Sequence, residues 1–276
     1  MILANHGIVS SSGGVLYDAD ALAFMTAANI TDNTQKSAIT TLVTDLKTYN
    51  IWSKMKAIYP FVGGSASSHK WNLKDPRDLD AAYRIALSGG GTHDSAGYIM
   101  NGTDSFANTY FNPSTVSGFK DNHNLSIYLK TTTPIGTGWH LGYGYTTTGN
   151  PLYGLAVKRN TTNELIYDSG EISQNGRLST TITDAKGFWS ANALASNDRR
   201  IFKNGVSFAT SFSTVSGTPA NDFMTIGAIN GTGGSLKFFL SGINAFTSFG
   251  EGLSVTELSN LNASVNTYQT ILSRNN

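Results

Sequence analysis

The strongest constraint on the fold is a two-residue alternation of apolar and polar side chains, which runs with interruptions over residues 57–250. The alternation is clearest in residues 125–130 and 139–145. Asn-Gly pairs, which favour the tight turns of β-hairpins, separate the runs at Asn101, Asn175, Asn204 and Asn230. Many short strands joined by such turns predict a mainly β protein, an antiparallel jelly-roll sandwich, rather than βαβ units.

The residues before this region have helical spacing. Asp18 is predicted to cap a short helix, and Asp32 with Gln35 resembles a capping box that begins a longer one. The longer helix carries one apolar stripe, formed by Ile39, Leu42, Val43, Leu46 and Tyr49. Such a stripe must be buried against the same domain or against a partner.

A third helix is predicted at the C-terminal end. Ser254 and Glu257 have the spacing of a capping box, and Leu253 and Leu258 that of a hydrophobic staple. The sequence therefore predicts three parts: an arm or linker over residues 1–16, a helical attachment or oligomerisation segment over 17–60, and a β-sandwich with its C-terminal helix over 61–276.

The composition excludes several classes of function. Charged residues make up 13% of the chain, where about 25% is usual, and the formal net charge is +1. This balance argues against a nucleic-acid partner, which would require a basic patch. The absence of Cys excludes disulfides and thiolate chemistry. No apolar run approaches the ~18 residues of a membrane span, and the first residues lack the basic and apolar regions of a secretory signal.

No catalytic or metal-binding motif is evident. Glycoside hydrolysis needs two carboxylates beside the scissile bond, and the spacing of Glu164, Asp168 and Glu171 does not place them on one strand face. We therefore expect no enzyme activity, although carboxylates from distant loops could still meet. No cofactor is predicted. Calcium is a minor alternative, for which oxygen ligands could come from Asn101, Asp104, Asp121, Asn122, Asn221 and Asp222.

Carbohydrate binding is the better candidate. If residues 124–130 and 138–145 form neighbouring strands, Tyr128 and His140 flank a floor formed by Gly142 and Gly144, on which a sugar ring could lie. The competing interpretation is that the glycines permit close packing. The tryptophans at positions 139 and 189 share their faces with apolar neighbours, so both are predicted to lie in the core.

Residues 185–258 resemble the end of a laminin-G-like or concanavalin A-like jelly roll. The similarity rests on the strand and turn at residues 200–205, on Met-Thr-Ile-Gly at 224–227, on Phe-Leu-Ser-Gly-Ile at 239–243, and on Leu253, Ser254 and Glu257. The sequence departs from the pattern at Asn244, where the family usually has an acidic residue.

The whole layout is similar to a recurring type of bacteriophage structural protein. The signature is Asp-Leu-Lys at residues 45–47, Trp52, and Lys-Met-Lys-Ala-Ile-Tyr-Pro-Phe-Val-Gly-Gly at 54–64. This resemblance implies a virion component (fibre, spike or capsid-decorating protein) that assembles with other virion proteins as a homo-oligomer such as a trimer. Its sandwich would adhere to a host glycan. The alternatives are a purely architectural protein, a polysaccharide-degrading enzyme, and a cytoplasmic bacterial protein of unrelated role.

Overall fold

The computed structural model describes residues 9–10, 16–145, 152–159, 162–171, 177–215, 217–231 and 236–275. The helices in these residues are α1 (Ala19–Ala27), α2 (Asn33–Thr48), α3 (Ala66–His69) and α4 (Val255–Ile271). The strands are β1 (Val9–Ser10), β2 (Leu16–Tyr17), β3 (Met55–Tyr59), β4 (Ala86–Ser88), β5 (Thr92–Asp94), β6 (Gly97–Met100), β7 (Phe106–Asn108), β8 (His123–Leu129), β9 (Leu141–Tyr145), β10 (Leu152–Ala156), β11 (Glu164–Glu171), β12 (Leu178–Thr181), β13 (Gly187–Ala195), β14 (Asp198–Lys203), β15 (Val206–Ser211), β16 (Thr225–Ile226), β17 (Ile229–Gly231), β18 (Leu236–Lys237) and β19 (Gly242–Gly250).

Most strands belong to two sheets packed face to face, which confirms the predicted mainly β sandwich. The first sheet has the order β15-β14-β13-β8-β19-β6-β5, with β3 also paired to β19. The second has the order β12-β11-β10-β9-β16-β7-β4, with β17 beside β9 and β18 beside β17. Pairing is antiparallel except between β17 and β9.

Alternation along the strands supplies the core between the sheets. On β8, Leu125, Ile127 and Leu129 face the second sheet, while Tyr128 belongs to the opposite face. Trp189 on β13 is fully buried in this core, as predicted. Because successive side chains of a strand point to opposite faces, the first sheet presents a second apolar surface on its outer side.

The helices α1, α2 and α4 cover that outer surface and begin where the sequence predicts. The side chains of Asp18 and Asp32 accept hydrogen bonds from the backbone N–H groups of Asp20 and Gln35, at 2.9 and 2.8 Å. At α4, Ser254 and Glu257 form the reciprocal capping box. In the described residues, no helix has the length and apolarity required to cross a membrane.

The apolar stripe of α2 is buried within the chain. Four of its predicted members are fully buried, and Tyr49, which follows the end of the helix, is 39% exposed. The stripe packs with α4 and with Phe188 and Phe246 of the first sheet. The strand β3, which lies within the predicted segment 17–60, is itself a strand of that sheet, where it pairs with β19. The predicted arm lies largely outside the described residues.

Candidate functional site

The two predicted sugar-binding residues lie in different places. Tyr128 is on β8 of the first sheet, whereas His140 directly precedes β9 of the second. The strands that carry them are therefore not neighbours, and the predicted pairing of Tyr128 with His140 around one site is wrong. Tyr128 packs on the helix-covered face of the first sheet, whereas His140 belongs to the second sheet.

His140 is fully buried, and its Nδ1 accepts a hydrogen bond from the backbone N–H of Val157 at 3.1 Å. Burial lowers the pKa of its imidazole to about 3, and an interaction with the backbone of Ser241 opposes that shift. A neutral imidazole that accepts a backbone hydrogen bond inside the protein has a structural role.

The glycine floor exists, but the protein's own side chains occupy it. Gly142 of β9 pairs with Gly154 of β10. A Cβ atom at position 154 would lie 2.9 Å from Cε3 of Trp139, and one at 142 would lie 3.2 Å from Cγ1 of Ile229. The close-packing interpretation of Gly142 is therefore correct. Trp139 is buried, as predicted, in a small apolar cluster that includes Ile229.

Tyr128 instead lines an open cleft of about 520 Å³ at the end of the first sheet, beside α4. The other residues that line it are Asp184, Lys186, Gly187, Lys203, Asn204, Asn262, Asn266 and Asn275. The Tyr128 side chain is only 7% exposed, and its Oη donates a hydrogen bond to Oδ1 of Asn275 at 3.1 Å. Burial raises the pKa of the Tyr128 hydroxyl, which therefore stays protonated at neutral pH.

Local structure explains how the amides reach the cleft. Asn204 begins the β14–β15 hairpin turn with a positive φ of 50°, and its Oδ1 accepts the N–H of Phe188 at 2.9 Å. A side chain at Gly187 would collide with that amide, because its Cβ would lie 2.7 Å from Asn204 Oδ1. Asn262 and Asn266 are one helical turn apart on α4, so both face the same side.

The cleft has two cations and one carboxylate among its described lining residues. Lys203 Nζ donates to the carbonyl of Asp184 at 3.0 Å and lies 4.8 Å from the ring centroid of Trp189. Asp184 Oδ1 accepts the backbone N–H of Lys186 at 2.9 Å. Lys130, which directly follows β8, has its pKa lowered by burial and then by the charges of Arg274 and Lys186. The surroundings of the cleft are therefore positively charged.

Most of the oxygen atoms considered as calcium ligands already accept hydrogen bonds within the protein, some in local turns and some, at Asn122 and Asn221, from distant segments. Asn101 Oδ1 accepts the N–H groups of Thr103, Asp104 and Ser105, and Asp104 accepts the N–H of Gly90. Asp222 Oδ1 accepts the N–H of Phe223 at 2.8 Å. Within the described ranges, no three His, Asp or Glu side chains converge in a way that could hold a metal ion.

The carboxylates considered for catalysis are also dispersed. Asp168 is fully buried and pairs with Arg177, at 2.9 Å from Oδ1 to Nε and 2.7 Å from Oδ2 to Nη2. Glu164 accepts a hydrogen bond from Thr162 on the surface. The Glu171 side chain lies outside the described residues.

Sequence reasoning identified one cleft residue, Tyr128, and missed the others. Asn204 was recognised only as a turn residue. The helix α4 was predicted, and the signal that could have pointed to its two cleft asparagines is the i, i+4 spacing of Asn262 and Asn266 on the polar side of that helix. Lys186 and Lys203 belong to no recognisable sequence motif. They lie near the asparagine amides of the cleft because of how the β14–β15 hairpin and α4 pack in the fold.

No protein-family model matches the chain, and no curated protein matches it. Among solved structures, it is similar to a sialidase of Trypanosoma rangeli in complex with sialic acid, at 13% identity and a TM-score of 0.55, over 83% of this chain and 39% of that one. Domain 4 of a GH43 extracellular arabinanase from Geobacillus stearothermophilus, in complex with arabinotriose, gives 14% identity and a TM-score of 0.45, over 75% and 98% of the two chains. The botulinum neurotoxin serotype D binding domain gives 10% identity and a TM-score of 0.46, over 78% and 51%. At these identities, the sialidase match bears on the fold alone.

Proposed function

We propose that this protein is a non-enzymatic, lectin-like module that binds a glycan in the cleft beside Tyr128. The observation that carries the proposal is the convergence of four asparagine amides and a tyrosine on one open, polar cleft. Its volume of about 520 Å³ falls within the range of small-molecule sites. Amides offer both donors and acceptors, which suits the hydroxyl groups of a sugar.

The exposed groups can exchange partners with a ligand. Asn204 and Asn266 are exposed, and Asn262 is half-buried. Tyr128 donates to Asn275, which is exposed, so a sugar oxygen could replace that acceptor without leaving a buried group unpaired.

The charges favour an acidic saccharide. Lys186 and Lys203 outnumber Asp184, and Lys130 adds to the positive field. A carboxylate or sulfate on the sugar would find a favourable potential here, and salt would weaken that attraction.

The cleft is suited to binding rather than to hydrolysis. Asp184 is the one carboxylate among the described residues that line it. Glycosidases generally require a pair of carboxylates on either side of the scissile bond. Turnover of a polysaccharide that a single Asp or Glu substitution abolishes would support the enzyme alternative instead.

We place this module in a bacteriophage particle, as a fibre, spike or decorating protein that meets host glycans after lysis. Support for this location comes from the signature at residues 45–64. Mass spectrometry of purified particles is expected to find the chain at stoichiometric abundance. Its absence from the particles would remove the virion proposal and leave the glycan site untouched.

A glycan array followed by calorimetry tests the binding proposal. We expect the wild-type chain to bind a set of acidic oligosaccharides. Asn262→Ala and Lys186→Gln are each expected to weaken binding about five- to thirtyfold, because each removes a polar contact worth about 1–2 kcal/mol.

Matched substitutions outside the cleft show whether a loss of glycan binding is specific to the cleft residues. Asn260→Ala changes the same residue type on α4 outside the cleft, and Lys120→Gln removes a lysine distant from it in sequence. Both controls are expected to bind like the wild type. Binding that the cleft variants leave unchanged would overturn the assignment of the site, and no binding to any glycan would overturn the function.

A further inference from the structure

A charged side chain lies inside the sandwich without a counter-charge. Arg199 lies two residues before Ile201 on β14, so both side chains point into the core between the sheets. The exposed fraction of Arg199 is zero. An arginine keeps its positive charge in proteins, and the burial of an unpaired charge is strongly unfavourable. The surroundings of Arg199 must therefore supply something that stabilises this charge.

The described residues satisfy one of the three guanidinium nitrogens of Arg199. Its Nη2 donates to the carbonyl oxygen of Ser213 at 2.6 Å and lies 3.4 Å from Oγ of Ser211. Its Nε and Nη1 have no hydrogen-bond partner among the described residues. Because the groups that Nη2 contacts are both uncharged, they leave the positive charge uncompensated.

The carboxylates of this region bind other arginines. Asp198 binds Arg200, at 2.6 Å from Oδ1 to Nε and 2.9 Å from Oδ2 to Nη2. Asp168 binds Arg177 in the same two-point manner. In the part of the chain that the structure describes, no carboxylate oxygen lies within 4 Å of an Arg199 nitrogen. The counter-charge therefore does not come from these side chains.

The titratable groups near Arg199 are neutral at neutral pH. His123 Nδ1 donates to the carbonyl of Phe119 at 2.6 Å, so its Nε2 accepts the hydroxyl of Tyr167 at 2.8 Å. Burial lowers the pKa of His123 to about 4, the hydrogen bond to Phe119 opposes that shift, and the charge of Arg199 adds to it. Burial raises the pKa of the Tyr167 hydroxyl. Neither group supplies negative charge.

We infer that Arg199 binds a small inorganic anion, of the size of chloride, inside the sandwich. An anion supplies the missing charge together with an acceptor for the N–H groups of Nε or Nη1. A water molecule would supply the acceptor alone. The complete burial of Arg199 favours a small anion over a bulky one. Ser213, whose carbonyl covers Nη2, belongs to an exposed segment through which such an ion can enter.

This inference is independent of the glycan cleft, because Arg199 is not among the residues that line the cleft. Urea unfolding at constant ionic strength tests it, with sodium chloride replacing sodium gluconate, whose anion is too large to be enclosed. Once chloride exceeds its dissociation constant, each tenfold increase should lower the equilibrium constant of unfolding about tenfold. Chloride that stabilises the protein no more than gluconate does would overturn the inference.

Two variants assign the effect to one side chain. Arg199→Met should abolish the chloride effect, and in gluconate it should be at least as stable as the wild type, because it removes an unpaired buried charge. Arg200→Met is the matched control, since Arg200 is half-buried on the same strand and already bound to Asp198. It should respond to chloride like the wild type. A chloride effect that persists in Arg199→Met would overturn the site, and so would a large loss of stability of that variant in gluconate.

Bromide locates the ion directly, because it resembles chloride and scatters X-rays anomalously. Crystals of the wild-type chain grown in sodium bromide should show an anomalous peak at hydrogen-bond distance from Nε or Nη1 of Arg199. Density for water alone at these nitrogens, or no density, would overturn the inference. This measurement needs no substitution, so it decides the question even if Arg199→Met does not fold.

Discussion

The indole ring of Trp139 lies against Gly154, in the space that a side chain at position 154 would need. A Cβ atom there would be 2.9 Å from Cε3 of the indole and 2.7 Å from the carbonyl oxygen of Leu141. Gly154 pairs across the strands with Gly142, where a Cβ atom would in turn lie 3.2 Å from Cγ1 of Ile229, so the glycine surface predicted around position 142 is a closed, packed surface in the structure. The side chains that cover Gly154 and Gly142 are Trp139 and Ile229 of the protein itself.

Gly154→Ala is expected to destabilise the fold by about 1–3 kcal/mol, because the methyl group must displace the indole or the neighbouring backbone. Urea unfolding measures the difference. Gly118→Ala is the comparison, since no atom lies within 4 Å of its would-be Cβ and only its positive φ of 77° opposes the change. A smaller loss at position 154 than at 118 would contradict the packing described here.

Removal of the capping box should weaken α4. Ser254→Ala deletes the acceptor of the Glu257 N–H and is expected to lower the free energy of unfolding by about 1 kcal/mol. Ser259→Ala, at an exposed position of the same helix, should change stability by no more than a few tenths of that. Equal effects of the two substitutions in thermal unfolding would argue against a specific cap.

Leu42→Ala tests where the stripe of α2 is buried. Leu42 is fully buried against the chain's own α4 and first sheet. Truncation is expected to cost about 2–5 kcal/mol, as for other core leucines. The loss should not depend on protein concentration, because the interface is intramolecular. A loss that grows on dilution would instead place the stripe at an interface between chains.

Buried histidines should make the protein less stable in acid. Burial lowers the pKa of His140 to about 3 and that of His123 to about 4, below the ordinary value of 6.5. The unfolded chain therefore binds protons that the folded chain does not, so stability falls as the pH decreases from 6.5 towards those values. Each histidine should remove about 2 kcal/mol between about pH 7 and about pH 5.

His140→Asn keeps an acceptor for the Val157 N–H but cannot take up the proton. Urea unfolding of this variant should show a smaller difference between the two pH values than the wild type shows. The variant should also bind glycans like the wild type when it is folded, since His140 lies outside the cleft. An unchanged pH difference would mean that His140 does not titrate on unfolding.

Much of the fold follows from local sequence patterns. The helix caps at Asp18, Asp32 and Ser254 are short-range interactions, and the alternation in β8 specifies which side chains enter the core. These features depend on residues close together in the chain, so they can be predicted from the sequence alone.

The order of the strands is not a local property. Whether β8 adjoins β9 depends on pairings between residues far apart in the sequence. In the structure, β13 and β19 are the neighbours of β8. Tyr128 and His140 were predicted to flank one site on neighbouring strands. That prediction failed because the strand that follows His140 belongs to the other sheet. The strand β3 was missed for the same reason: its partner, β19, is nearly two hundred residues away.

The most direct test of the central claim is an NMR titration of isotope-labelled protein with acidic and matched neutral oligosaccharides. The account predicts that an acidic glycan shifts the side-chain amide signals of Asn204, Asn262 and Asn266, that added salt weakens the binding, and that the neutral analogue binds more weakly. Shifts confined to another surface, or no shifts with any glycan, would contradict the assignment of this cleft as the functional site.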